Sequence, residues 1–255
     1  ARLAVPDHER ALFERATEYW QQKRIWDNYN DRSTFNTIGV DLPVAASLVD
    51  YDTFEWQDLA LEVVPAPGHT HGQVALVGDI GGRKVAFTGD LMRRGGKLHE
   101  LHAMEYEYGD LTGVHLSGLA LDQLRKRAPE IVLPSHGDVV DDAGACIAAL
   151  EARLRALMEL PPYRANAAPG RRFSHELPLA EVSEHLLWSD DATCSNFFVV
   201  RADSGKALLI DYPYVSNSMF GQALQTPEPA FALRFIEHHT DELRERWGIE
   251  QIDVV

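Results

Sequence analysis

The sequence predicts a mixed α+β fold. Two observations carry that reading. Short apolar runs of strand length recur along the chain, several of them joined by glycine turns, and between them lie segments with helical spacing and helix-capping residues. With 255 residues the chain is long enough for one large domain or two modest ones.

Taken in order, residues 7–24 read as an amphipathic helix, with Asp7 as its N-cap and Leu12, Phe13, Ala16 and Tyr19 on one face. Residues 28–50 are mixed and turn-rich. Glu62 to Val64, Val74 to Val77 and Lys84 to Phe87 are strands, the last two joined by Gly81-Gly82 at hairpin spacing. Residues 94–118 lack a clean period and read as a long loop, residues 118–127 as a short helix, and Ile131 to Pro134 as a buried strand. Residues 142–160 form a long helix with Asp141 or Asp142 near its cap. The Pro-, Ala- and Arg-rich stretch 161–173 is the linker. Beyond it, HLLWS, NFFVVRAD and ALLIDY are strands with Asp203-Ser204-Gly205 as a turn. A helix over 230–247 stops before Gly248, and Ile252 to Val255 is a last apolar strand.

Composition narrows the function classes. Lys and Arg number 24 against 39 Asp and Glu, a formal net charge of −15. So acidic a surface repels nucleic acid and anionic membranes, leaving a small-molecule substrate as the expected partner. No apolar run is long enough to span a bilayer, and no leader pattern opens the chain. Two cysteines, Cys146 and Cys194, without CxxC spacing fit a cytoplasmic protein. Nothing in the sequence sets the oligomeric state.

The chemistry lies in three segments: Pro67-Gly68-His69-Thr70, Phe87-Thr88-Gly89-Asp90 and Leu133-Pro134-Ser135-His136-Gly137. Each sets a metal-type ligand after an apolar strand, beside a glycine that lets an ion or substrate come close. Imidazoles and a carboxylate are donors that zinc, iron and manganese accept, and one carboxylate can bridge two ions. Singly, a histidine after glycine or an aspartate in TGD is an ordinary turn or capping residue. Among the other histidines, His71 reads as solvent-facing and His238 and His239 as helix-surface residues. His99 and His102, with Tyr106 and Tyr108, read as loop residues with a lesser claim to touch substrate.

The order PGHT…FTGD…PSHG resembles the second half of the metallo-β-lactamase superfamily. The likeness is strong over residues 50–140. It implies an αββα sandwich of metallo-β-lactamase type with its ligands at one edge of the sheets. It also implies that His69 and His136 bind metal and that Asp90 is the bridging, catalytic carboxylate. A complete site in that family holds two ions, zinc by expectation, with iron or manganese as alternatives.

The family's HxHxDH motif is absent from these 255 residues. In the family it precedes PGHT. The segment NFFVVRADSGKALLIDYPY resembles the family's opening strands and their LIDTG-like turn, with Asp211 at the aspartate and Tyr212-Pro213 departing from Thr-Gly. The expected organisation is therefore a fragment of a tandem protein. Residues 1–160 would be the C-terminal portion of one such domain, 161–173 a linker and 174–255 the N-terminal portion of a second. The fold would be incomplete, or circularly permuted if the second part supplies strands missing from the first.

The implied function is a metal-dependent hydrolase using a metal-bound hydroxide on an ester, thioester, lactone or amide-like carbonyl, with this chain alone inactive. Two alternatives stand beside it: a di-iron redox protein of flavo-diiron type, and a non-catalytic scaffold copy of the fold.

Overall fold

The computed structural model describes residues 2–22, 38–99, 112–160, 179–189, 197–211 and 236–254. They fall in two compact units, Ala1–Arg164 and Ala165–Val255. The linker expected at 161–173 lies outside the described residues.

In the first unit, β1 (Leu3–Pro6) pairs in parallel with β2 (Val44–Leu48). A five-stranded sheet follows, ordered β3 (Thr53–Trp56), β4 (Leu59–Pro65), β5 (Val74–Ile80), β6 (Arg83–Gly89) and β7 (Ile131–Pro134). β3 to β6 form an antiparallel meander, and β7 joins β6 in parallel. One face buries Val64, Ala75, Val77, Ala86 and Val132 with residues of α3 (Thr112–Arg127) and α4 (Ala143–Met158). Alternation along β5, with Ala75 and Val77 inside, is the period of a strand covered on one side.

Several sequence expectations change here. The helix expected over 7–24 is broken. Pairing of β1 with β2 continues to Pro6, so Asp7 opens a 3-10 turn instead of capping a helix. α1 (Arg10–Glu14) then stops at Arg15, which leaves helical geometry, and α2 (Ala16–Gln22) follows. The supposed loop 94–118 contains a hairpin at 93–97 and the first turns of α3, with 100–111 outside the described residues. α3 hides its period because it is buried nearly all round: Val114, Leu116, Ser117, Leu119, Ala120, Leu121, Asp122, Gln123 and Leu124 are all inaccessible.

In the second unit the sheet order is β12 (Gln251–Val254), β11 (Lys206–Ile210), β10 (Phe197–Arg201), β9 (Leu186–Ser189) and β8 (Leu179–Ser183). Phe197, Val199, Leu187 and Leu209 pack with Leu243 of α5 (Ile236–Trp247). His239 is buried, four residues before Leu243 and on the same helical stripe, not on the surface. Residues 230–235 and Cys194 lie outside the described residues. Each unit is a sheet with helix packed on it, which is the mixed α+β class expected. Among the described residues no helix is long and apolar enough to cross a membrane.

Candidate metal centre

β4, β6 and β7 run in the same direction, because β5 is antiparallel to its two neighbours and β7 is parallel to β6. Their C-terminal ends therefore lie along one edge of the sheet. His69 follows β4, Asp90 follows β6 and His136 follows β7. Topology thus brings three distant sequence segments to one rim.

The turns there are held by backbone and side-chain contacts. Ala66 N–H donates to the Gln73 carbonyl at 2.9 Å, closing the loop that carries His69. Gln73 is itself buried, and its amide donates to the Thr88 carbonyl at 2.9 Å, tying that loop to the strand end before Asp90. Ser135 N–H donates to the Gly89 carbonyl at 2.9 Å, fixing the His136 turn against the Asp90 turn. Gly68 requires its lack of a side chain: φ is +150°, and a Cβ would lie 2.0 Å from Ser117 Oγ on α3. From the N-terminal side, the Glu9 carboxylate accepts the Gly72 N–H at 2.9 Å.

The three expected residues converge. His136 Nδ1 lies 2.6 Å from Asp90 Oδ1, the imidazole N–H donating to the carboxylate. His69 Nε2 lies 3.5 Å from Asp90 Oδ2, so the carboxylate sits between two imidazoles. Asp90 and His69 are mostly shielded, with side chains 17% and 21% exposed, while His136 is 53% exposed and opens the site to solvent.

A fourth residue joins them. His99 stacks on His136 with ring centroids 4.0 Å apart and planes 5° from parallel, and it meets His69 edge-on at 6.1 Å. One donor atom each from Asp90, His99 and His136 lie within 4.8 Å of one another. The sequence alone reads His99 as a loop histidine. The signal that could have placed it is the Gly95-Gly96 pair, a hairpin turn that folds the chain back to the rim. His71, expected to face solvent, is half-buried. His102, Tyr106 and Tyr108 lie outside the described residues.

Comparison with known families gives the metallo-beta-lactamase superfamily, whose sequence pattern matches residues 1–136, more than half of the chain. The chain belongs to that superfamily. No curated protein gives a match. Solved structures do. A metallo-beta-lactamase family protein from Thermus thermophilus is 19% identical, with a TM-score of 0.45 over 62% of this chain and 54% of that one. A beta-lactamase domain protein from Burkholderia ambifaria is 20% identical, TM-score 0.45, over 62% and 46%. A metallo-beta-lactamase from Novosphingobium pentaromativorans is 19% identical, TM-score 0.45, over 66% and 63%. The chain thus matches between 46% and 63% of the length of these superfamily structures.

The donor set fits a divalent transition ion. One carboxylate and several imidazoles, without thiolates, suit zinc, iron or manganese. The donor atoms of Asp90, His99 and His136, within 4.8 Å of one another, are spaced close to what one ion spans.

Proposed function

We propose that this site serves a metal-dependent hydrolase acting on a small molecule with an ester, thioester, lactone or amide-like carbonyl. The observation that carries the reading is Asp90 lying between His69 and His136 at the rim of the sheet. A divalent ion, zinc by first choice, supplies Lewis acidity there, lowering the pKa of water and polarising a carbonyl oxygen.

The chain's own residues do the rest. His69 would hold one such ion and His136 a second, each with Asp90. Asp90 is the shared carboxylate, and its oxygens accept hydrogen bonds from both a neighbouring imidazole and an attacking water, which orients the water. His136, the most exposed of the three, marks the side from which substrate enters. The Gln73 bond to Thr88 keeps Asp90 from swinging away as substrate binds. A net charge of −15 disfavours polyanionic substrates such as nucleic acid. Residues 174–255 we read as the opening strands of a second domain of the same type, with Asp211 in its turn.

The test is turnover of a thioester, a lactone and a β-lactam by the full-length protein. Hydrolysis of at least one should be lost on chelation, restored by zinc, and abolished in Asp90→Asn. Chelator-insensitive hydrolysis, or an active Asp90→Asn, would overturn the assignment.

A further inference from the structure

His99 belongs to none of the three strand-end segments, yet the fold delivers it to the same place. From Asp90 the chain runs through Leu91 and Met92, both fully buried, into a hairpin whose arms pair Arg93 with Lys97. That hairpin is clamped from two directions. Gly96, at φ +63°, presses on α4, where a Cβ would sit 2.7 Å from the Cys146 carbonyl oxygen and 2.8 Å from Leu150 N. Arg153 of the same helix donates to the carbonyls of Gly95 and Gly96. On the other side, Arg94 donates to the Val139 carbonyl at 3.4 Å and to Asp141 Oδ1 at 3.1 Å, in the segment that follows His136. The turn leading to His99 is therefore held by the same elements that flank His136.

We propose that His99 is a metal ligand, completing with Asp90 and His136 a three-donor set for one divalent transition ion. The proposal rests on the reading of this rim as a metal site and adds a donor that lies outside its three motifs. Two imidazoles and a carboxylate form a sufficient set, with positions left open for water and substrate. Bonds of about 2.0–2.2 Å put tetrahedral donors about 3.3–3.6 Å apart, so a cluster within 4.8 Å closes by about an ångström. An ion lies in the plane of the imidazole that binds it. Two parallel rings cannot both point at one ion, so loading turns one out of the stack. His99, at the end of a hairpin and not directly after a sheet strand, is the ring that turns.

Cobalt(II) titration of the full chain tests this, read by calorimetry, by visible ligand-field absorption, and by counting hyperfine-shifted imidazole N–H protons. The variants are His99→Gln, which removes donor and stack, and His99→Phe, which keeps a flat ring over His136 but offers no donor. Both should weaken cobalt binding by about tenfold or more, since even outer-shell partners cost that much. Both should also show one shifted N–H fewer than the wild type. Urea midpoints of the two variants report whether the fold is intact. Binding by His99→Phe within about twofold of wild type, or an unchanged count of shifted protons, overturns the proposal. Should Asp90→Asn and His136→Gln abolish binding while both His99 variants retain it, the metal site stands and the role of His99 falls. Absence of cobalt binding by the wild type removes both.

Discussion

Replacing Gly68 with alanine puts a methyl group where the structure has no room, one residue before His69. The new Cβ would lie 2.0 Å from Ser117 Oγ, 3.1 Å from Ser117 Cβ and 3.2 Å from the Gly113 carbonyl oxygen. Ser117 is fully buried in α3, so its side chain has nowhere open to rotate, and the carbonyl belongs to helix backbone. Backbone at φ +150° adds a conformational cost for any L side chain. Strain of that kind costs about 1–3 kcal/mol. Overpacking adds about 1–3 kcal/mol, giving a middle value of about 4 kcal/mol. For a domain of this size that lowers Tm by about 8–16 °C. Urea and thermal unfolding followed by circular dichroism measure it. A second variant isolates the cause: Ser117→Gly removes both side-chain contacts, so Gly68→Ala/Ser117→Gly should be less destabilised than the sum of the singles by about 1 kcal/mol or more. Gly68→Ala within about 0.5 kcal/mol of wild type, or strict additivity, would refute the close packing of the His69 loop on α3.

Other expectations follow from the same geometry. Gly96→Ala drives a methyl group into α4 backbone, and should both destabilise the first unit by about 2 kcal/mol or more and weaken metal binding if His99 depends on the hairpin. Two carboxylates should respond to pH in opposite ways. The Lys84 N–H and Arg83 hold the Glu130 carboxyl below its ordinary value. Its contribution is thus present at neutral pH and lost as pH falls through that lowered value. Glu130→Gln should be less stable than wild type at pH 7, with the difference closing in acid. Burial pushes Glu151 up despite the opposing influence of Arg125. A raised carboxyl binds its proton more tightly when folded, so stability falls as pH rises from the ordinary carboxyl range through the raised value. Glu151→Gln should gain stability over wild type above that window and match it below. Thermal melts of each variant from acid to mildly alkaline pH read the signs.

How far the sequence revealed the molecule depended on how much of each element faced water. β5 and β6 were legible because a strand covered on one face alternates, and because Gly81-Gly82 marks the turn between them. The three strand-end ligands were legible for a related reason: each apolar run stops abruptly at a glycine beside a metal-type donor. α3 was not, since burial on nearly every side removes the polar stripe that would set its period. β1, β2 and β3 are strands of only four or five residues with mixed burial, below the length at which alternation is distinct from chance. His239 was misjudged because its neighbour along the chain says nothing about its face; Leu243, four residues on, does. For His99 the Gly95-Gly96 pair signals a turn, but its place at the rim also rests on a tertiary fact, the clamping of that hairpin between α4 and the segment after His136.

Anomalous diffraction from zinc-soaked crystals of the chain addresses the central claim without reliance on activity. The account predicts a peak at the zinc edge bonded to Asp90 and to His136, at about 2.0–2.2 Å from each donor. Zinc bound elsewhere, with the rim of Asp90 and His136 bare at saturating metal, would contradict it.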